Sequence, residues 1–345
     1  MIISRTPFRI SFFGGGTDYP IWFKENGGAV LGTSIDKFCY INCRHLPPFF
    51  EHKHRIAYSQ IETVQNIEEI RHPAVRETMR FIGANEGMEI HHDGDLPART
   101  GLGSSSAFTV GFLHALYAFK GIMTPKLQLA KEAIYIEQNM LKENVGSQDQ
   151  VLAAFGGLKR VNFSSGDHID VQPITLKPER LELFQDHLML IFTGFSRTAS
   201  QIAEEQIKET PNKKRELAEM HQMVDEAINI LTGNNDLEDF GKLLHESWQL
   251  KRSLTSKITN PFIDYIYETA LNAGATGGKL LGAGGGGFIL LFVKPEIQPK
   301  VKESLPGLLE VPFSFEDQGS KIIFCEPDLA YDYHTQIMNR PGIHV

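Results

Sequence analysis

Residues 96–107 of the chain read Leu-Pro-Ala-Arg-Thr-Gly-Leu-Gly-Ser-Ser-Ser-Ala and lead into FTVGFLHALYAF at residues 108–119. Residues 105–119 are apolar on nearly every face of a helix, so this range is predicted to form a buried central helix. Glycine allows a ligand to approach the backbone closely, and free amides, serine hydroxyls and the helix dipole converge where this helix begins. The segment therefore suits a triphosphate, although a tight turn before a serine-capped helix would give the same pattern.

The composition excludes several classes of function. The chain has 345 residues, 41% of them hydrophobic and 22% charged, which is enough for two domains and argues against long disorder. Lys and Arg number 34 against 42 Asp and Glu, and the net charge of −8 disfavours a general nucleic-acid or anionic-membrane binder. The longest apolar run, at residues 288–293, is far shorter than the roughly 20 residues of a membrane-spanning helix. We therefore expect neither nucleic-acid nor membrane partners, and the sequence makes no prediction of oligomeric state.

The N-terminus and the cysteines indicate a cytoplasmic protein. The sequence MIISRTPFRISFF carries Arg5 and Arg9 within its apolar stretch and has no small-residue cleavage pattern, so it predicts a first strand rather than a signal peptide. Three cysteines, Cys39, Cys43 and Cys325, are too few for a disulfide framework. We interpret all three as reduced packing residues.

Strand-like runs and helical patterns are interspersed without regular βαβ alternation, which predicts an α+β fold. The pattern predicts strands at residues 2–13, 38–44, 55–59, 88–93 and 288–293. It predicts helices after Pro73, after Thr124-Pro125 to about residue 142, and over most of residues 199–274. Thr124 is expected to cap its helix, with Pro125 at the first helical position. A boundary near residues 180–190 predicts two domains, 1–185 and 186–345.

Two further glycine-dense segments accompany the first, Gly14-Gly15-Gly16 and residues 282–287. The segment at residues 282–287 and the Lys279 that precedes it do not form a P-loop. That motif needs a glycine where this chain has Ala273, and a Ser or Thr where it has Leu280. The same segment satisfies G-x-G-x-x-G, but the strand-like FILLFV follows where a dinucleotide fold needs a helix. Both familiar nucleotide motifs are therefore rejected.

Glu137 stands out because it falls on an apolar helical stripe with Leu127, Ala130, Ile134 and Leu141. An unpaired carboxylate on such a stripe is costly, so this residue requires a cation. Mg²⁺, which is usually held by one or two protein oxygens together with phosphates and water, would serve. A buried Arg or Lys would serve equally well.

Two other charged positions indicate chemistry. Asp149 lies in the turn Gly146-Ser147-Gln148-Asp149-Gln150, where it could take a proton from a hydroxyl or cap a helix. Arg9 lies inside an apolar strand, which indicates a charged partner. Asp18 follows the first glycine turn and is a further candidate.

Together these segments resemble the three motifs of the GHMP small-molecule kinases, which include galactokinase, homoserine kinase, mevalonate kinase and phosphomevalonate kinase. The motifs read TPFRISFFGGGTDYP at residues 6–20, LPARTGLGSSSA at residues 96–107 and LLGAGGGGFILL at residues 280–291. The resemblance implies an N-terminal domain of ribosomal-protein-S5-like fold and a C-terminal ferredoxin-like domain. It also implies that ATP and substrate bind between the two domains.

The resemblance assigns roles to individual residues. It implies that the second motif wraps the phosphates of ATP and that its second serine, Ser105, helps to hold Mg²⁺. Asp149 matches the catalytic base and Arg9 its basic partner. In the family, the carboxylate that holds Mg²⁺ lies on the helix before the catalytic aspartate. The resemblance therefore implies that Glu137 is this carboxylate. The nucleotide-binding residues implied are Gly101, Leu102, Gly103, Ser104, Ser105 and Ser106.

On the substrate side the resemblance implies a sugar. Galactokinases have Glu-His-Thr-Asp-Tyr where this chain has Gly15-Gly16-Thr17-Asp18-Tyr19, so Asp18 matches the sugar-hydroxyl ligand, but the Glu and His that grip galactose are glycines. The Gly-Gly-Gly-Thr-Asp form, with GSQDQ and FTGFSRTAS, most resembles the D-glycero-D-manno-heptose 7-phosphate kinases, which phosphorylate the anomeric hydroxyl. Arg197 is a candidate for the sugar phosphate or for a salt bridge. The substrate-binding residues implied are Gly15, Gly16, Thr17, Asp18, Gly284, Gly285 and Arg197.

Three other functions fit parts of the pattern. They are another GHMP sugar 1-kinase acting on a fucose-like sugar or other hexose, a catalytically silent sugar-binding sensor, and a lyase of the diphosphomevalonate decarboxylase kind. A sensor would be expected to have lost an acidic catalytic position, whereas Glu137 and Asp149 are present. The Thr17-Asp18-Tyr19 signature argues against the lyase. The sequence thus predicts an ATP- and Mg²⁺-dependent kinase of a small-molecule sugar or sugar phosphate.

Overall fold

Two β-sheets organise the chain, of which the computed structural model describes residues 1–47, 49–194 and 199–326. The strands are β1 (Ile2–Phe13), β2 (Gly28–His45), β3 (His54–Ala57), β4 (Ile61–Val64), β5 (Met88–Gly94), β6 (Lys159–Ser164), β7 (His168–Pro173), β8 (Leu188–Gly194), β9 (Gly277–Leu280), β10 (Gly287–Phe292), β11 (Leu309–Glu310) and β12 (Lys321–Cys325). The larger sheet has the order β12-β1-β2-β5-β3-β4, with β6 joining β2 and β7 joining β6. The smaller sheet has the order β11-β8-β10-β9 and is antiparallel throughout.

The helices cover and connect these sheets. They are α1 (Pro20–Asn26), α2 (Pro73–Ile82), α3 (Ser104–Phe119), α4 (Lys126–Tyr135), α5 (Gln148–Phe155), α6 (Pro178–Asp186), α7 (Ala199–Glu209), α8 (Lys214–Thr232), α9 (Glu238–Leu254), α10 (Pro261–Ala273) and α11 (Gln298–Ser304). Short 3₁₀ helices lie at Ile67–Glu69, Thr210–Asn212 and Pro295–Ile297, and a π-helical turn, Ile136–Met140, continues α4. The mixture confirms the predicted α+β class.

The predicted central helix is α3, and it packs directly on β1. The Ser4 hydroxyl donates to the carbonyl of Gly111 at 2.8 Å. A Cβ on Gly111 would lie 2.6 Å from the hydroxyl oxygen of Thr6, so only glycine allows the helix to come this close to the strand. Strand β1 is buried along most of its length, and its buried residues include the polar Ser4, Thr6, Arg9 and Ser11 as well as apolar side chains.

The chain returns to its first sheet at the end. Strand β12 pairs antiparallel with β1, and just before it the amides of Glu316 and Ser320 donate to the carbonyls of Ser34 and Ala153. The division into residues 1–185 and 186–345 stays a prediction, but the segment that contains β12 belongs to the first sheet although it follows the second. Sequence patterns do not report such a return, because strand pairing is a long-range contact.

Several local predictions need correction. Pro125 is the N-cap of α4 and no side chain caps this helix, so the predicted cap by Thr124 was wrong. Cys39 and Cys43 are buried free thiols as expected, but Cys325 is exposed and is not a packing residue. In the described ranges, no helix combines the length and the apolar character that crossing a membrane requires.

Candidate active site

The second glycine segment forms a loop that ends at the start of α3. Gly101 and Gly103 have φ of +86° and +73°, a left-handed conformation that glycine adopts without strain. Gly103 is the N-cap of α3 and no side chain caps the helix, so the serine-capped alternative was wrong. The hydroxyl of Ser104 instead accepts from the amide of Arg99. The first amides of α3 are therefore left without an intrahelical partner, which is the arrangement that binds phosphate.

Arg9 joins this loop to the helix that carries Asp149. Its Nε and Nη2 donate to the two carboxylate oxygens of Asp149 at 2.7 and 2.6 Å, a bidentate pair. Its Nη1 donates to the carbonyl of Gly101 at 2.7 Å, and its backbone amide donates to the carbonyl of Leu102. Gly103 lies against this pair, since a Cβ there would be 3.0 Å from Cγ of Arg9. The charged partner expected for Arg9 is thus Asp149, which lies in the first turn of α5 and retains 24% side-chain exposure.

Asp18 and Thr17 hold the first glycine turn in place. The carboxylate of Asp18 is buried and accepts from the amides of Gly16 at 3.0 Å and Gln148 at 3.2 Å. Thr17 is also buried, and its hydroxyl donates to the carbonyls of Gly14 and Ala29. These contacts give both residues a role in joining loops. Their predicted role in binding substrate stays a prediction.

Glu137 lies in the π-helical turn after α4, and its side chain is fully buried. Its Oε2 accepts from the Ser106 hydroxyl at 2.9 Å and from Nε2 of Gln150 at 2.6 Å. Its Oε1 is buried and forms no hydrogen bond within the described residues, although the side chain of Thr109 acts with those of Ser106 and Gln150 to lower the pKa of Glu137. Burial, and then the nearby charge of Glu143, raise the pKa of Glu137 to about 7, whereas the hydrogen bonds that its oxygens accept lower the pKa. In the described part of the chain, no Arg or Lys pairs with it, so the ion-pair alternative was wrong.

The apolar helical stripe on which Glu137 was predicted to lie is only partly buried. Leu127 is exposed and Ile134 is half-buried, whereas Leu129, Ala133 and Ile136 line the buried face. Leu127 and Ile134 both precede the π-helical turn, so the difference lies in α4 itself, whose buried face is formed by Leu129, Ala130 and Ala133 and is continued by Glu137. Ser105, the predicted magnesium ligand, is exposed at the start of α3, and the adjacent Ser106 is the serine that contacts Glu137.

The third glycine segment packs its backbone against the second. A Cβ on Gly282 would lie 2.5 Å from Cα of Gly101, and a Cβ on Gly101 would lie 2.5 Å from the carbonyl oxygen of Leu281. The amide of Phe288 donates to the carbonyl of Thr100 at 3.2 Å. Gly284 and Gly285 lie instead against Ile258, whose carbonyl accepts from the amide of Gly285. The structure therefore brings the second and third motifs together, with glycines at the points of contact.

Two buried lysines near these loops were not predicted. Lys251 of α9 donates from Nζ to the carbonyls of Leu280 at 3.0 Å and Gly282 at 2.6 Å. Lys279 of β9 donates to the carbonyl of Phe12 at 2.7 Å. Burial, and then the charge of Arg9, lower the pKa of Lys251 to about 7, against the opposing effect of Asp18. Lys251 lies on the buried face of α9 with Trp248 and Leu254, so the stripe argument applied to Glu137 would have found it.

The first turn of α5 connects the parts of the site. The amide of Gln148 binds Asp18, the carboxylate of Asp149 binds Arg9, and the side chain of Gln150 binds Glu137. Gly15 lies beside Gln148, whereas Gly16 lies against Gln206 and Leu217 of the second half of the chain. Arg197 lies outside the described residues. A glycine loop with free helix amides, a partly exposed carboxylate and a buried carboxylate thus meet at one place, and this combination fits transfer of a phosphoryl group.

Comparison with known proteins agrees with this chemistry. The family model for the GHMP kinases N terminal domain matches residues 67–157, and the model for the GHMP kinases C terminal matches residues 216–309. Together these ranges cover more than half of the chain. They confirm the family that the three motifs predicted.

Individual relatives are sugar kinases. D-glycero-alpha-D-manno-heptose 7-phosphate kinase of Campylobacter jejuni is 28% identical over 336 residues, which cover 93% of this chain and 98% of the relative. The galactokinase of Thermotoga neapolitana is 24% identical, over 90% of this chain and 95% of its own. The crystal structure of a D-glycero-D-manno-heptose 1-phosphate kinase from Bacteroides thetaiotaomicron shares the fold, with a TM-score of 0.76 at 23% identity over 93% of this chain and 98% of that one.

The contact between the glycine loops predicts a specific loss of stability. Gly282 and Gly166 both have φ of +72°, but a Cβ on Gly166 would meet nothing within 4 Å. We expect Gly166→Ala to lower the free energy of unfolding by about 1–2 kcal/mol through left-handed strain alone. Gly282→Ala adds the clash with Gly101 and should cost about 1–3 kcal/mol more. Urea unfolding measures both values, and equal losses in the two variants would show that the loops separate without cost.

The buried carboxylate predicts a dependence of stability on pH. A folded-state pKa of about 7, raised from 4.5, means that the folded protein binds this proton more tightly than the unfolded chain does. The contribution of Glu137 is therefore fully present below pH 4.5 and is lost as the pH rises through 7. Relative to Glu137→Gln, wild-type protein should lose stability on the order of 3 kcal/mol across this window.

Urea unfolding between pH 4.5 and 8.5 measures this difference, with Glu226→Gln at an exposed position of α8 as the matched control. The control should follow the wild-type curve. Parallel curves for Glu137→Gln and wild type would contradict the assignment, because they would mean that Glu137 titrates as it does in the unfolded chain.

Proposed function

The chain belongs to the GHMP kinase family of ATP-dependent phosphotransferases, and on this premise we propose that it phosphorylates the anomeric hydroxyl of D-glycero-D-manno-heptose 7-phosphate. The product would be the 1,7-bisphosphate, a precursor of nucleotide-activated heptose. The bidentate pair of Arg9 and Asp149 beside the uncapped start of α3 is the observation that carries the proposal. In the proposal Asp149 is the proton acceptor, and the start of α3 beside it is the site for the phosphates of ATP.

In the proposed reaction the acceptor oxygen attacks the γ-phosphorus of ATP. Asp149 orients the acceptor hydroxyl and accepts its proton, while the bond from the γ-phosphorus to the bridging oxygen breaks and ADP leaves. The amides of residues 101–106 bind the phosphates, and the guanidinium of Arg9 stabilises the negative charge that the moving phosphoryl group carries. Arg9 also fixes the carboxylate of Asp149, because two parallel hydrogen bonds define its orientation.

The residues present fit a divalent cation. The partnerless Oε1 of Glu137 is the kind of buried anionic oxygen that a cation would satisfy, and the Ser106 hydroxyl and the Gln150 amide hold the other oxygen. Glu137 would hold Mg²⁺ together with the hydroxyl of Ser105, which lies exposed at the start of α3. When bound, Mg²⁺ would offset the negative charge of the ATP phosphates.

The choice of sugar rests on the relatives and on Gly15 and Gly16. The heptose 7-phosphate kinase from Campylobacter jejuni aligns over almost all of both chains, and galactokinases align over slightly less. Gly15 and Gly16 stand where galactokinases have larger side chains; Gly16 packs against Gln206 and Leu217, so Gly15 is the position that leaves more room for an acceptor. A larger acceptor such as a heptose phosphate is consistent with that room.

ATP consumption against a panel of acceptors tests the proposal. The panel contains D-glycero-D-manno-heptose 7-phosphate, the unphosphorylated heptose, mannose, galactose, fucose and mevalonate. We expect turnover with the heptose 7-phosphate and a bisphosphate product by mass spectrometry. Turnover with only galactose or fucose would replace this substrate by another sugar. ATP binding without turnover on any acceptor would favour a sugar-binding sensor.

The role of Asp149 is tested separately. Asp149→Asn keeps the shape of the side chain but removes the proton acceptor, so kcat should fall by about 10²–10⁴-fold. Asp225→Asn is the matched control, because it breaks an Arg–Asp pair with Arg160 at the surface and should leave kcat unchanged. Circular dichroism checks that both variants fold. Near-normal kcat in folded Asp149→Asn would rule out Asp149 as the base.

A further inference from the structure

Two polar side chains beside the catalytic pair are buried without a hydrogen-bond partner. They are the hydroxyl of Ser11, a residue that is 7% exposed, and the amide oxygen of Gln148, a residue that is 8% exposed. Most buried polar groups in folded proteins are paired, and an unpaired one costs free energy. A ligand that supplies the missing hydrogen bonds would explain why both groups are retained here.

Both side chains border the space that the absent side chain of Gly15 leaves. A Cβ on Gly15 would lie 3.7 Å from Nε2 of Gln148 and 3.8 Å from Oγ of Ser11, which are ordinary contact distances. The φ of Gly15 is not in the left-handed region, so the backbone does not itself require glycine at this position. Glycine here therefore keeps a space open next to two unpartnered polar groups.

This space adjoins the reacting centre. Ser11 follows Arg9 by two residues in a regular stretch of β1, so both side chains lie on the same face of the strand. Gln148 directly precedes Asp149 at the start of α5, and its backbone amide is held by Asp18. A molecule that presents a hydroxyl to Asp149 would therefore place its neighbouring groups against Ser11 and Gln148.

We propose that Ser11 and Gln148 bind ring hydroxyls of the acceptor sugar in the space above Gly15 and thereby set acceptor specificity. The inference rests on the proposed sugar kinase activity. A hydroxyl and a carboxamide each donate and accept hydrogen bonds, as sugar hydroxyls do, whereas a carboxylate or phosphate group is better matched by cations. The space is thus suited to the polyol part of the acceptor rather than to an anionic group.

The test is the steady-state kinetics of Ser11→Ala, Gln148→Leu and Gly15→Ala with the sugar that wild-type enzyme uses best. Loss of one hydrogen bond to an uncharged group should raise the acceptor KM by about three- to tenfold, with the KM for ATP unchanged. Gly15→Ala should also raise the acceptor KM, because its methyl group occupies the space while the backbone tolerates it.

A structural role would give a different result. Because Ser11 and Gln148 lack partners, their replacement by Ala and Leu should leave the Tm unchanged or raise it. Ser4→Ala is the matched control on the same strand: Ser4 donates a buried hydrogen bond to Gly111, so this variant should lower the Tm and leave the acceptor KM unchanged.

An unchanged acceptor KM in all three variants would overturn the inference, as would a matching rise in the KM for ATP. Wild-type enzyme that phosphorylates no sugar on the panel would overturn the proposed function and this inference with it. Active wild-type enzyme with unchanged variants would overturn only the assignment of Ser11 and Gln148.

Discussion

The site depends on one guanidinium group that is buried in a β-strand. Arg9 donates to Asp149 and to Gly101, and its backbone amide donates to Leu102. A buried cation is costly unless its donors are satisfied, so the strand is stable only with the loop and α5 in these positions. The strand, the glycine loop before α3 and the helix that carries Asp149 are thereby fixed relative to one another. Preorganisation of this kind is what phosphoryl transfer requires, since the protein contributes mainly position and charge.

The first turn of α5 connects the Arg9–Asp149 pair to the rest of the site. Successive residues of a helix point about 100° apart, so Gln148, Asp149 and Gln150 face three different neighbours. They contact the Gly15 turn, Arg9 and Glu137 respectively. A short polar sequence of three residues can therefore connect the Gly15 turn, the Arg9–Asp149 pair and the buried carboxylate. A change in the pitch of this helix would disturb all three together.

The sequence predicted those parts of the site that show a local physical conflict. Glu137 and Arg9 are charges in apolar elements, and residues 101–106 are glycines and serines before an apolar helix. Parts that depend on contacts between distant segments escaped prediction. In the sequence Lys279 stands out only as a P-loop candidate, yet its partner is a backbone carbonyl of β1 that no pattern around residue 279 reveals. The return of β12 to the first sheet escaped for the same reason.

The pKa shifts of three buried ionisable groups have complementary consequences for the binding of a charged ligand. Burial depresses the pKa of Lys251 and Lys279 and raises that of Glu137, so each of these groups is held away from its charged form. A polyphosphate beside the lysines and a cation beside the carboxylate would reverse both effects, because each brings the opposite charge. Binding of a metal–nucleotide complex would then be linked to proton uptake at the two lysines and to proton release at the one glutamate. Because the release offsets part of the uptake, the affinity of such a site for the complex would change less with pH than its affinity for the nucleotide alone.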